Sequence, residues 1–404
     1  GGVGPATPDP GVPGASPRGL TSPLLSAGLS DLGADEPATE LTDEDSRFMQ
    51  GLGAARVAVH YKLAEPPGEA TGAGGPAVLL LHGFGAGAFA WRHLMWPLAG
   101  LCRARVVAFD RTGSGLSAKP ERPFPPEAGG SPYTLRSQAG VAVDLLARLG
   151  VTRVVLVGHS DGALLALMVA AEAQRAEGCG VEVAGVALIS ASLGGAVVPA
   201  STRLMLSTRL PLEMLRPLLR AEIGELSTRK AWADRSRLSR ETLELYKQPL
   251  RAEGWDRALV EMARAQAEVT RPELESLLGV VRGAPALVLA GAQDRVARPA
   301  RSQALAAEMG SAQLAVLPEC GHLPHEEAPE LLLALLAPFA ARALGTARPE
   351  EAAAQYTPPS PATPPADGQR PMYRLGLSPP SAGPDITAPL LEGGGGESSP
   401  GPGA

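Results

Sequence analysis

The pentapeptide Gly158-His159-Ser160-Asp161-Gly162 constrains this chain more than any other stretch. An apolar, β-branched run, Val154-Val155-Leu156-Val157, precedes it, and Ala163-Leu164-Leu165-Ala166-Leu167-Met168 follows with helical character. A small-x-Ser-x-small segment between a strand and a helix is the setting of a nucleophile elbow. The turn forces its serine into a strained backbone conformation, so the flanking positions must be small. The hydroxyl then stands clear at the top of a sheet. The spacing predicts Ser160 as a nucleophile on a strand–turn–helix junction.

A serine hydroxyl is a weak nucleophile at neutral pH and needs a base that is itself oriented by a carboxylate. The chain has six histidines, so the search is short. Cys320-Gly321-His322-Leu323-Pro324-His325 follows the strand-like run Leu314-Ala315-Val316-Leu317. His322, after a glycine in a loop ahead of a helix, is the predicted base, and His325 at the start of that helix is given a capping or packing role. The acid is sought between Ser160 and His322. Ala286-Leu287-Val288-Leu289-Ala290-Gly291 reads as a buried strand with Gln293-Asp294 at its C-terminal end, so Asp294 is the predicted orienting acid. A fourth element must stabilise the charge that develops on an attacked carbonyl, a task for preorganised backbone N–H groups. Ala77-Val78-Leu79-Leu80-Leu81 reads as a central strand leading into His82-Gly83-Phe84-Gly85. The expected donors are the N–H groups of Phe84 and Asp161, with His82 holding the loop.

The order Ser, Asp, His is that of one fold among the serine hydrolases. Five motifs fall in register: His82-Gly83-Phe84-Gly85; Phe109-Asp110-Arg111-Thr112-Gly113-Ser114-Gly115-Leu116-Ser117; the elbow; Gly291-Ala292-Gln293-Asp294; and Gly321-His322. Over residues 52 to 343 the chain resembles α/β-hydrolase-fold serine hydrolases. The segment from Asp110 to Ser117 is similar to that family's D-x-x-G-x-G-x-S turn. It is not a dinucleotide loop, because Pro120, Pro123, Pro125 and Pro126 follow instead of a helix with a partner acid, and its expected role is structural.

Organisation along the chain agrees with an α/β class. Arg56 to Leu63 alternates like an edge strand, Val106 to Phe109 and Val183 to Ser190 read as strands, and Thr134 to Leu149 as a helix stopped by Gly150. Strands alternating with helices predict a mostly parallel sheet with both faces covered. From residue 193 to 283 the strand signal disappears. Leu215, Leu218, Leu219 and Ile223 fall on one helical face, Ser239 and Asp256 read as helix caps, Pro249 as a stop, and Pro272 suits a first turn. This segment is expected to be an inserted helical cap that roofs the site, dividing a core of residues 47–192 and 284–345. Within it, Tyr246-Lys247-Gln248-Pro249-Leu250 with Gly254-Trp255-Asp256 resembles the caps of small soluble hydrolases of plants and bacteria.

Residues 1–46 and 346–404 are rich in Gly, Pro, Ser and Ala and are read as disordered, because neither buries enough apolar surface to offset chain entropy. The sequence begins at glycine, which leaves room for a preceding targeting peptide, although the acidic residues 31–45 do not suit the body of a transit peptide. Net charge is −6 with both signs interspersed and 4% aromatics, which argues against nucleic acid. Cys102, Cys179 and Cys320 have no metal-ligand spacing and fit reduced thiols inside a cell, in cytoplasm or plastid. No apolar run reaches the roughly 18 residues of a spanning helix.

Asp161 carries two readings. One is a carboxylate in the first turn of a helix, favoured by the macrodipole by roughly 0.3–1 kcal/mol. The other is a pocket anion for a substrate ammonium, as in a similar Ser-Asp-Gly elbow of amino-acid-ester hydrolases. Asp161 as the nucleophile, in the manner of epoxide hydrolases and haloalkane dehalogenases, is disfavoured because bulky His159 would then occupy a small flanking position. The expected activity is hydrolysis of a small-molecule ester, thioester or amide through an acyl-enzyme, with neither metal nor cofactor. The alternatives are acyl transfer or C–C bond hydrolysis on the same triad, or a ligand receptor.

Overall fold

The computed structural model describes residues 42–67, 74–126, 129–176, 178–194, 200–208, 210–265 and 269–346. Most of the two tails expected to be disordered, 1–41 and 347–404, therefore lies outside the described residues. Strands β1 (Arg47–Leu52), β2 (Val57–Ala64), β3 (Gly75–Leu81), β4 (Arg105–Phe109), β5 (Val151–His159), β6 (Glu182–Ile189), β7 (Ala286–Gly291) and β8 (Gln313–Leu317) form one sheet. Its order is β1-β2-β4-β3-β5-β6-β7-β8. β1 and β2 are antiparallel to each other, β2 is antiparallel to β4, and every pairing from β4 to β8 is parallel.

Alternation along the central strands feeds two cores. On β3 and β5, Leu79, Leu81, Val154 and Leu156 face one side; Val78, Leu80, Val155 and Val157 face the other. The first side is covered by α2 (Leu135–Arg148), α3 (Asp161–Arg175) and α9 (Arg271–Val280), while α1 (Met95–Cys102) and α10 (Pro329–Leu344) cover the second. Burial on both faces is why these strands read as continuous apolar runs.

The N-terminal edge differs from expectation. Arg56–Leu63 was expected at the edge, yet β1 lies outside it, and β1 was not foreseen because Arg47, Phe48 and Gln50 are exposed and give no apolar alternation. The disordered segment was also expected to run to residue 46. Instead Asp43 pairs with Lys62, and Ser46 Oγ lies 3.0 Å from His60 Nε2.

Between β6 and β7 the described residues form helices and turns: α4 (Ala200–Leu206), α5 (Leu212–Arg220), a π-helical turn at Ala221–Leu226, α6 (Ser227–Ala231), α7 (Arg240–Lys247) and α8 (Trp255–Arg264), then α9. Ser239 caps α7 through a bond from Thr242 N–H to its hydroxyl, and Thr270 caps α9, whose first turn holds Pro272. Asp256 is not a cap: Gly254, at φ 75°, begins α8, and Asp256 is buried 2.7 Å from Arg216 Nε. Leu215, Leu219 and Ile223 are buried, but Leu218 of the expected apolar face is 52% exposed. Among the described residues no helix is long and apolar enough to cross a membrane.

Candidate active site

Ser160 sits between β5 and α3 at φ 55° and ψ −121°. A side-chain-bearing residue pays about 1–3 kcal/mol for such a conformation, so the surroundings must impose it. They do so through close packing. A Cβ on Gly158 would collide with the backbone of Gly162 and Ala163, and one on Gly162 with the carbonyl oxygens of Leu81 and His82. Ser160 N–H donates to Ile189 O at 2.9 Å, and Ser160 O accepts from Ala163 N–H and Ser192 N–H. The side chain is left half-buried above the C-terminal ends of the parallel strands.

The three residues selected from separate motifs meet there. His322 Nε2 lies 3.1 Å from Ser160 Oγ, and His322 Nδ1 lies 2.8 Å from Asp294 Oδ2. Ionised Asp294 can only accept, so Nδ1 carries the imidazole proton and Nε2 is open to the serine proton. Burial alone would raise the Asp294 carboxyl. The hydrogen bond and charge of His322, with the N–H groups of Ala297 and Val296 on Oδ1, outweigh it and hold the group below its ordinary range. Asp294 is thus an anion throughout the neutral range.

The base loop is anchored by groups the sequence did not single out. His322 N–H donates to Ala231 O at 2.7 Å. Glu327 accepts from Gly321 N–H and Leu323 N–H through Oε1 and from Ala233 N–H through Oε2. Its burial raises its carboxyl pKa, and these N–H groups offset that only in part. His159 donates from Nε2 to His322 O at 2.7 Å; burial first, and the neighbouring His322 second, pull it down to about 3. His325 packs on the rings of His159 and Trp91 at centroid distances of 4.6 and 5.0 Å, and burial drives its pKa well below 6.5. The turn after β4 is equally tied: Asp110 accepts from Ala88 N–H and Leu116 N–H and meets His60 Nδ1 at 2.8 Å.

The loop after β3 brings Phe84 beside the elbow. His82 accepts the Arg111 N–H on Nε2 at 3.1 Å and donates from Nδ1 to Gly83 O, while burial lowers it to about 4. The two residues expected to donate to an oxyanion are bonded to one another: Phe84 N–H donates to Asp161 Oδ1 at 2.7 Å. The other carboxylate oxygen, Oδ2, is 2.7 Å from Arg111 Nη1, and the side chain is buried. Asp161 is therefore neither a free pocket anion nor only a helix-terminus carboxylate. Arg111 went unnoticed because the turn containing it was read through its glycines.

Beside this loop lies a small pocket. Phe84 and Gly113–Gly115 form its floor, and Ile223, Leu250, Trp255, Leu259 and Met262 wall it from the segment between β6 and β7. No lining side chain is charged. Tyr246 points elsewhere, its hydroxyl 3.1 Å from Glu326 Oε1, and Glu326 is held by both terminal nitrogens of Arg92 at 2.6 and 2.7 Å. Among the described residues no cluster of three His, Cys, Asp or Glu could hold a metal ion.

Known proteins agree with this architecture. The model of the Alpha/beta hydrolase family matches residues 78–335. A dihydrolipoyllysine-residue acetyltransferase component of the acetoin-cleaving system of Pseudomonas putida is 32% identical over 265 residues, which is 65% of this chain and 62% of that protein. The chain thus spans about six-tenths of that relative's length. Epoxide hydrolase 2 of Siraitia grosvenorii is 40% identical over 92 residues, 23% of this chain and 27% of that enzyme. A thermophilic esterase from Thermogutta terrifontis shares the fold, with a TM-score of 0.56, 22% identity, and coverage of 74% of this chain and 99% of the esterase.

Proposed function

The chain belongs to the alpha/beta hydrolase family, and on that premise we propose that it is a serine hydrolase that cleaves a carboxylic ester of a small, apolar molecule. The observation that carries this reading is the alignment Ser160 Oγ, His322, Asp294 at 3.1 and 2.8 Å, with the serine on a strained elbow.

In the reaction Ser160 Oγ forms a bond to the carbonyl carbon as its proton passes to His322 Nε2, and the carbonyl π pair moves onto oxygen. His322, now an imidazolium facing ionised Asp294, returns that proton to the departing alcohol as the ester C–O bond breaks. Water attacks the acyl-enzyme by the same proton path, and the acid leaves. The backbone N–H groups of Phe84 and Asp161 are the proposed oxyanion donors. The cap was expected over residues 193–283, with a core of 47–192 and 284–345; because α9 packs on the sheet face beside α3, the proposed cap is the helical segment ahead of α9, and α9 belongs to the core. Uncharged walls favour a neutral acyl or alcohol group. Unpaired Cys102, Cys179 and Cys320 support a reducing compartment inside a cell, cytoplasm or plastid.

Opening an epoxide would need a carboxylate at the elbow, where this chain has Ser160, and an acid in the cap. Tyr246 commits its hydroxyl to Glu326. Acyl transfer is the second reading, supported by the acetyltransferase component among the relatives. It uses the same acyl-enzyme and differs only in the nucleophile that relieves it. Incubation with neutral p-nitrophenyl esters of graded acyl length, with and without added alcohols or thiols, tests both. Free acid as the sole acyl product supports hydrolysis; new ester or thioester at the expense of acid supports transfer; no turnover with any ester sinks both.

A further inference from the structure

The serine mechanism just proposed, on which this inference rests, leaves one charged side chain of the site without a task. Asp161 is 1% exposed and both its oxygens are engaged. Oδ1 accepts the Phe84 N–H and Oδ2 accepts from Arg111 Nη1, each at 2.7 Å. Arg111 is itself fixed, with Nε donating to Gln138 Oε1 at 2.7 Å and Nη1 to His82 O at 3.3 Å. A backbone N–H has one hydrogen and makes one strong bond. Here that bond goes to an anion, and charge-assisted bonds are roughly twice as strong as neutral ones. A tetrahedral oxyanion on the same nitrogen would have to share the hydrogen with a carboxylate and bear its charge at close range.

We propose that the Asp161 carboxylate is a displaceable occupant of the oxyanion site: it holds the Phe84 N–H in the resting enzyme, and acylation of Ser160 requires it to yield that hydrogen to the substrate oxygen. No covalent bond changes in this step. The carboxylate keeps its ion pair with Arg111 and turns Oδ1 off the nitrogen. The substrate carbonyl takes the vacated N–H, and the Asp161 N–H, which has no partner inside its own helix, supplies the second bond. Asp161 thereby acts as a positioning residue that sets how fast the site becomes competent. Esters with excellent leaving groups outrun this exchange, and their acylation reaches a common ceiling.

The test is stopped-flow acylation by phenyl, p-nitrophenyl and 2,4-dinitrophenyl acetates. In the unaltered protein the rate rises with leaving-group ability and then levels. In Asp161→Ala, which keeps both backbone donors, the levelling disappears and the fastest ester acylates about 10-fold faster or more, within the roughly 10²–10³ that one oxyanion donor is worth. Because Asp161→Ala strands a buried guanidinium, Arg111→Met/Asp161→Ala is run beside it; removing both charges of a buried pair is tolerated far better than removing one. The double variant loses the ceiling as well. A protein without a ceiling, or a folded double variant that acylates no faster, overturns the proposal while leaving the serine reading intact. Failure of a fluorophosphonate to label Ser160 in any of the three proteins overturns the serine reading and this inference with it.

Discussion

Asp161 Oδ1 accepts the Phe84 N–H at 2.7 Å, which couples the loop after β3 to the first turn of the elbow helix. Arg111 completes the link from the turn after β4, so the ends of three neighbouring strands meet in one buried ion pair. The carboxylate is spent inside the protein and is not presented to a ligand.

Substrate charge is the first consequence. An ester with a free α-amino group and its N-acetylated analogue react with kcat/KM values within about threefold of each other, since no charged side chain lines the pocket and both Asp161 oxygens are engaged inside the protein. Asp161→Asn leaves that ratio unchanged. A strong amine preference that vanishes in Asp161→Asn would restore the pocket-anion role.

The histidines separate by function. His322→Ala loses at least about 10³-fold in kcat, the scale seen when a triad member is removed. His325→Ala keeps turnover within a few-fold but lowers the melting temperature, because the ring fills space between Trp91 and His159. Steady-state kinetics with one neutral ester, paired with thermal melts of both variants, checks the ranking; the reverse order removes His322 as the base.

Stability responds to acid through buried neutral imidazoles. His82 and His159 have native values of about 4 and about 3, and His325 is depressed too, against 6.5 when unfolded. The unfolded chain binds protons first as pH falls below 6.5, so stability present above that value is lost on the way down to the native values. Each histidine contributes a slope approaching about 1.4 kcal/mol per pH unit. Urea midpoints fall steeply between pH 6.5 and 4.5. A flat profile there means that these rings are not held neutral.

Asp110 tests the turn between β4 and α2. Its two oxygens serve Ala88 N–H, Leu116 N–H and His60. Asp110→Asn sets an amide NH₂ against a donor and costs at least about 2 kcal/mol, from the desolvated groups left unpaired. Urea denaturation reads this directly, and a cost under about 0.5 kcal/mol contradicts the bracing role.

Much of the frame was legible because its determinants are local. β3, β5, β6 and β7 are buried on both faces and show as unbroken apolar runs, and Gly158 and Gly162 mark where strand and helix close on Ser160. What escaped depends on distant partners. β1 is a strand only because β2 offers it an edge. Asp256 looked like a cap because a helix follows it, yet its partner Arg216 lies 40 residues upstream. The contact of Asp161 with Phe84 spans 77 residues, and no local pattern announces it. Glu327 was missed likewise, since its value lies in the N–H groups of Gly321, Leu323 and Ala233 that converge on it.

The central claim is that Ser160 carries the acyl group. Intact-mass analysis after acid quench of the protein mixed with p-nitrophenyl acetate, followed by peptide mapping, measures this most directly. The account predicts one acetyl adduct per chain, on the peptide containing Ser160, formed in the burst of p-nitrophenol and absent from Ser160→Ala. An adduct on any other residue, or p-nitrophenol release undiminished in Ser160→Ala, contradicts it.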